Sequence, residues 1–361
     1  ALLYAAALLD FDIRWLWPSA QAEGALCSCP VTAEALTGAL HAMAQQGNTP
    51  FGVYVTSPDY LGGVQDIPAL AAVCRAQGVP LLVDNAHGAY LRFLPQNCHP
   101  IAQGAAMCCD SAHKTLPVVT GGAYLHLAHD APVQDEAAVR GALALFGSTS
   151  PSYLILQSLD ACNAVLAGDY PRRLVQCCAA LEGLRRSLNK AAAARQCPVP
   201  LAVAGAQQEP MKLTLDAAAL GCTGTTLADA LRRAQLECEY ADPRYVVLMF
   251  TPENPSQDFE RLQTALEQLL AAVPAGLPRP ENRAGEFAAL QQQAVQRCTI
   301  RQAVLGAQVR IPVHKALGRV CAMPTVSCPP AIPVAVSGEE ITPAAIALMQ
   351  RYGIEELSVL R

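Results

Sequence analysis

The chain is poor in charge: Asp, Glu, Lys and Arg make up 15% of its 361 residues, against ~25% in an ordinary soluble domain. It has no block of basic residues, and 25 Lys and Arg face 30 Asp and Glu for a net charge of −5. That balance argues against nucleic acid as a partner. No apolar run is long enough to cross a bilayer. The opening residues 1–9 are apolar, but nothing basic precedes them and Asp10 and Asp12 end the run, so neither a membrane span nor a signal-peptide core is expected. A core helix leading into a strand at 13–17 is the simpler expectation. A starting methionine is also missing, which hints that the chain begins inside a longer protein. No internal repeat of solenoid length is evident.

Cysteine is abundant, with 15 residues, yet no Cys-x-x-Cys pair occurs and Cys27-Ser28-Cys29 has no second half to complete a metal site. The cysteines sit in apolar segments such as Val73-Cys74, Cys108-Cys109 and Cys177-Cys178, where a free thiol behaves as a small hydrophobe. Structural free thiols in a reducing cytoplasm are expected. His41, His99, His126, His129 and His314 show no metal-ligand spacing and are read as structural. Sparse charge with 52% hydrophobic residues suggests a surface partly covered by another copy of the chain.

The first part alternates strand and helix. Helices are expected at 32–44, capped by Thr32, and at 67–77, stopped by Gly78; strands at 51–56, 79–83, 105–109 and 122–127. Strands separated by helices imply parallel pairing and an α/β architecture. The runs at 79–83 and 105–109 read as fully buried strands. Long helices follow over 152–190, broken near 168–171. A smaller α/β unit then has strands at 211–215 and 245–250 and helices at 226–234 and 259–272. A last helix runs through Gln296, and a proline-rich turn segment spans 323–333. The expected division is a large domain at 1–150, a helical connection at 151–200, a small α/β domain at 201–273 and a C-terminal domain at 281–361.

Two strand ends carry chemistry. Asp84-Asn85-Ala86-His87 closes one apolar run and Ser111-Ala112-His113-Lys114 closes another. Open α/β sheets bind ligands beyond the carboxyl ends of their strands. A carboxylate and a lysine delivered there form the pair that pyridoxal 5'-phosphate needs. Lys114 would hold the cofactor aldehyde as a Schiff base, and Asp84 would keep the pyridine nitrogen protonated so the ring acts as an electron sink. Alone, Asp84 could merely cap a turn and Lys114 could be a loop lysine; together with Ser111 and His113, which suit a phosphate ester, they carry more weight. His87 could edge against the cofactor ring or satisfy a backbone group. Thr149 and Ser150, in a turn before proline, could donate to phosphate or cap the next helix.

Leu82-Val83-Asp84-Asn85-Ala86-His87-Gly88-Ala89, Asp110-Ser111-Ala112-His113-Lys114-Thr115-Leu116 and Ser148-Thr149-Ser150-Pro151-Ser152-Tyr153 resemble the Orn/Lys/Arg decarboxylase family, in particular its short bacterial members. Pro210-Met211-Lys212-Leu213-Thr214, Gly318-Arg319-Val320-Cys321-Ala322 and Pro329-Pro330-Ala331-Ile332-Pro333 extend the resemblance along the chain in family order. The resemblance implies the aspartate-aminotransferase fold (fold type I), with a mainly parallel sheet in the large domain, pyridoxal phosphate as cofactor, and an active site shared between two chains. It gives Lys114 the cofactor aldehyde and Asp84 the pyridine nitrogen. Ala86 would lie against a ring face, Ser111 and His113 would contact the phosphate, and Thr149 would reach the cofactor of a neighbouring subunit. The chain departs from the family at Asn85, where Glu is usual, and at Ala331, where Gly is usual. The resemblance also implies an amino-terminal arm, a phosphate loop and a ring-stacking histidine ahead of the point where this chain begins, so that the chain as given would lack one wall of the cofactor pocket.

The expected activity is decarboxylation of a basic amino acid, arginine, lysine or ornithine, by a cytoplasmic homodimer or higher homo-oligomer. Glu339 and Glu340 are candidate partners for the distal charge of that substrate, although solvated surface glutamates fit them as well. The alternatives are another fold-type-I reaction, an aminotransferase or lyase, and a truncated non-catalytic homologue acting as an interaction subunit.

Overall fold

The computed structural model describes residues 2–18, 25–28, 30–148, 150–205, 207–274, 276–281, 284–323 and 333–361. The chain opens on α1 (Leu2–Leu9), as the apolar run suggests. The strand expected at 13–17 does not form. Its side chains are divided among separate clusters, with Ile13, Leu16 and Trp17 each packing on a different one. A strand would have sent alternate residues to a single face.

The first sheet is built from α2 (Ala33–Gln45), β1 (Val53–Thr56), α3 (Ile67–Ala76), β2 (Leu81–Asp84), β3 (Met107–Asp110), α4 (Ala112–Thr115) and β4 (Tyr124–Leu127). Thr32 caps α2 by accepting the Ala35 N–H, and Asp66 caps α3 by accepting that of Ala69. Gly78, at φ +67°, lets the chain turn out of α3. Strand order is β1-β2-β3-β4. The first three strands are parallel and β4 is antiparallel to β3. The reversal follows from the connection, since the one turn of helix in α4 is too short to cross over the sheet.

The strands are not buried on both faces. Val53, Val55, Leu81, Val83 and Cys108 pack with Leu36, Leu40, Ile67 and Leu70 of α2 and α3. On the other face Tyr54, Cys109 and Leu125 are exposed. Short apolar runs cannot reveal by periodicity whether one face or both will be covered.

After α5 (Glu136–Phe146), which buries none of its residues, come α6 (Tyr153–Ala167) and α7 (Tyr170–Ala194). Gly168 and Asp169 break the helical stretch where expected, and Pro171 sits in the first turn of α7, where its missing N–H costs nothing. The buried stripe Leu174, Cys177, Leu181, Leu184, Leu188 of α7 has helical spacing. It joins Tyr90, Ala112 and Leu116 to β5 (Lys212–Asp216), α8 (Gly224–Arg233), β7 (Tyr245–Met249) and α9 (Ser256–Ala271) in one continuous core. With β6 (Tyr240–Ala241), these strands form an antiparallel sheet of order β5-β7-β6.

The last part holds α10 (Ala284–Gln293), α11 (Ile300–Leu305), β8 (Gln308–Pro312), α12 (Pro343–Arg351) and β9 (Glu356–Leu360), with β8 and β9 antiparallel. Helix α10 stops at Gln293, short of the expected Gln296, whose side-chain amide instead donates to the carbonyls of Cys298 and Ser337. Arg301 donates to the Ala7 and Leu8 carbonyls and so ties the end of α1 to this part.

Candidate active site

Because β2 and β3 are adjacent and parallel, Asp84 and the Ser111–Lys114 turn emerge at the same edge of the sheet. Asp84 is held from two sides. Its Oδ1 accepts the Ala86 N–H at 3.1 Å and its Oδ2 accepts the Tyr54 hydroxyl at 2.9 Å. Lys114 reaches back across the strand ends, its Nζ 3.2 Å from His87 Nε2. The lysine thus meets the His87 end of the aspartate turn.

His87 is buried, and burial first, then the nearby charges of Lys212, Lys114 and His113, pull its pKa down to about 2. A neutral His87 accepts from the Lys114 amine at Nε2 and carries its hydrogen on Nδ1. Nδ1 is buried and without a hydrogen-bond partner among the described residues. An orphaned buried donor beside a lysine suits an acceptor oxygen of a bound group. His87 also meets Tyr60 edge-on, with ring centroids 4.9 Å apart.

Ala86 and Ser111 are half-buried in these turns, and the Ser111 hydroxyl makes no capping bond to α4. His113 is oriented by its Nδ1–H, which donates to the Gly122 carbonyl at 2.9 Å. Its Nε2 is therefore an acceptor while the ring is neutral, and would donate to a phosphate only once protonated. Thr149 lies outside the described residues.

The small sheet supplies a wall that the sequence pattern did not reveal. Lys212, at the start of β5, is 3% exposed. Its Nζ donates to the Asp59 carbonyl at 2.8 Å and lies 5.6 Å from the centre of the Tyr60 ring. Burial lowers its pKa, against the opposing pull of Glu209, Asp59 and Glu239, with Lys114 adding to the lowering. Tyr60 donates its hydroxyl to Glu239 Oε1 at 2.8 Å. A charged residue inside a strand buried along its whole length was the available signal, since such a lysine needs partners.

Glu339 and Glu340 are engaged elsewhere. Glu340 pairs with Arg297 at 2.6 Å, and Glu339 Oε2 accepts the Val336 N–H at 3.0 Å. Neither has a residue of the Lys114 site among these partners. His99 and His126, far apart in the sequence, both converge on Asp110 Oδ2, at 3.1 and 3.0 Å. His99, Cys108 and Asp110 are close enough to share an ion. However, His99 Nδ1 accepts the Ile101 N–H, which puts the ring hydrogen on Nε2 and makes it a donor to Asp110 rather than a metal ligand.

A family model for the major domain of Orn/Lys/Arg decarboxylases matches residues 15–258. The chain belongs to the Orn/Lys/Arg decarboxylase family. It is 29% identical over 309 residues to the uncharacterized protein YaaO of Bacillus subtilis, covering 83% of this chain and 61% of that protein. It is 28% identical over 299 residues to the arginine decarboxylase of the same organism, covering 81% and 59% respectively. Among solved structures, the lysine decarboxylase LdcF of Francisella novicida superposes with a TM-score of 0.76 at 16% identity, covering all of this chain and 65% of that one. The fold is thus that of the aspartate-aminotransferase-like, fold-type-I enzymes. The chain spans about three fifths of the length of the curated relatives it matches. Among the described residues no helix is long and apolar enough to cross a membrane.

Proposed function

We propose that this chain binds pyridoxal 5'-phosphate through Lys114 and decarboxylates a basic amino acid, with residues 1–150 as the cofactor-binding domain. The observation that carries this reading is the meeting of Lys114 with the Asp84–His87 turn at the shared edge of β2 and β3. When bound, the cofactor supplies an electron sink for the pair left at the substrate's α-carbon as the carboxylate departs. The rest falls to the protein. The Lys114 amine is the nucleophile that holds the cofactor aldehyde, and neutral His87 accepts a hydrogen bond from it at Nε2. Asp84, its two oxygens fixed by Ala86 and Tyr54, holds a proton on the pyridine nitrogen by its charge. His87 Nδ1, Ser111 and, when protonated, His113 are the donors for the cofactor's oxygens, and Ala86 packs against its ring.

The distal cation of arginine, lysine or ornithine needs a carboxylate. Glu239, held by Tyr60 beside Lys212, replaces Glu339 and Glu340 in that role. A second copy is proposed to cover the exposed apolar side chains of α5 and α6, among them Leu145, Phe146, Tyr153 and Leu154. Thr149 lies between these helices in sequence and is the proposed contact to that copy's cofactor. A cytoplasmic setting is proposed from the free thiols.

The test is borohydride reduction in the presence of pyridoxal phosphate, followed by peptide mapping and measurement of carbon dioxide from arginine, lysine and ornithine. A pyridoxyl group on Lys114, lost in Lys114→Ala together with at least ~10³-fold of the activity, supports the proposal. Transfer of the amino group to a keto acid without carbon dioxide release would favour the aminotransferase alternative. The open face of the first sheet favours the second reading, a non-catalytic subunit, and that reading gains if Lys114 remains unmodified.

A further inference from the structure

Asp110 is buried at the end of β3, immediately before the Ser111–Lys114 turn. Asn85, fully buried, follows Asp84 directly. The Asn85 Nδ2 donates to Asp110 Oδ1 at 2.7 Å. The same oxygen receives the Cys108 thiol at 3.5 Å, while Oδ2 receives His99 and His126. Below this bond the backbone ladder between the strands closes with the Asn85 N–H on the Cys109 carbonyl, 2.9 Å. The Asn85–Asp110 pair is therefore a side-chain rung beyond the last rung of the β2–β3 ladder. One side of it leads to the residue paired with the cofactor nitrogen, the other to the cofactor lysine.

Two details show that Asn85 is placed to donate. Its Oδ1 is buried and has no partner among the described residues, a desolvation cost that an ordinary turn would avoid. A Cβ on Gly88 would stand 2.0 Å from that Oδ1, so only glycine at 88 leaves room for the amide in this seat. Asp110 is likewise over-supplied with donors, which hold its carboxyl well below the usual carboxylate range in spite of burial.

We propose that Asp110 is a positioning residue for cofactor binding: through Asn85 it sets the spacing between the Asp84 turn and the Lys114 turn, with His99 and His126 holding its second oxygen. This rests on the cofactor role proposed for Lys114 and Asp84. Carboxylate and amide are interdependent, because Asp at 85 would face a second carboxylate across the rung, and exchanging the two residues would restore one donor and one acceptor.

The experiment compares the wild-type protein with D110A, N85D and the exchange variant N85D/D110N. It measures pyridoxal phosphate affinity, visible circular dichroism per bound cofactor, and melting without cofactor. D110A and N85D should bind the cofactor ~10-fold or more weakly, as expected for loss of a buried hydrogen bond to a charged group, with an altered visible signal. The exchange variant should recover both. Single variants that melt lower yet bind with wild-type affinity and an unchanged visible signal would overturn the assignment, leaving Asp110 a structural hub. If D110A does not fold, N85D and its rescue by D110N decide the question alone. A wild-type protein that acquires no borohydride-fixed group on Lys114 overturns the cofactor role itself, so the two failures are distinguishable.

Discussion

The parallel strand ends and the small antiparallel sheet both contribute to one site, Lys212 and Tyr60 lying beside His87, but by different means. Asp84 ends β2, and Lys114 lies in the one-turn helix α4 just past β3, each next to the apolar strand that delivers it. Lys212 stands inside a strand, with Glu209 three residues before it and Asp59 and Glu239 brought in from two other parts of the chain. Local turns can be recognised from a few consecutive residues. A buried ion cluster has no local signature, because each member is ordinary until folding removes water from all of them. The turn wall carries the proposed covalent chemistry, whereas the sheet wall sets the electrostatic environment in which His87 stays neutral.

The comparison can be broken at the turn wall first. Asp84→Ala removes the charge proposed to face the pyridine nitrogen and should lower carbon dioxide release by ~10- to 1,000-fold, the equivalent of a 1–3 unit change in that nitrogen's proton affinity; melting should change far less. An unchanged rate with an intact Lys114 adduct would remove Asp84 from the mechanism.

The sheet wall should respond in stability. Lys212→Met leaves the Asp59 carbonyl and neighbouring carboxylates without their buried cation, at a cost of ~2 kcal/mol in chemical denaturation. It should also move the His87 titration upward, since the Lys212 charge stands second only to burial in lowering it. NMR of the histidine ring checks this; an unmoved titration would mean the two walls are not coupled.

The finest effect is the pH dependence. His87 titrates at about 2 in the fold and 6.5 outside it. As pH drops below 6.5 the unfolded chain takes up a proton that the folded chain refuses. The stability due to a neutral His87 is therefore complete above 6.5 and falls away toward 2, by at most ~1.4 kcal/mol per pH unit. His87→Gln should flatten the acid limb of stability by that slope. An identical limb in the variant would show that His87 does not stay neutral.

The paired strand ends were legible because the chemistry lies within a few residues of an apolar run, and the helix ends were legible because Gly78 is free to take the positive φ that ends α3 and Pro171 fixes the backbone in the first turn of α7. The absent strand at 13–17 was not legible, for alternation shows a strand only when a partner edge and a single core face are both present. Nor was the open face of the first sheet, where Tyr54 proves to be the group that braces Asp84. Glu339 and Glu340 show the converse: two adjacent acids in sequence were drawn to Arg297 and a backbone amide instead.

What the sequence determined by itself was the order of strands and turns, and with it which residues are proposed to carry a covalent cofactor, since turn chemistry and apolar runs are local properties of the chain. What only the tertiary structure decided was their company: which way β4 ran, which face of the sheet stayed open, which acids met Lys212, and that Asn85 should meet Asp110. Those are outcomes of desolvation and of contacts between residues distant in sequence, and neither is written in any one segment.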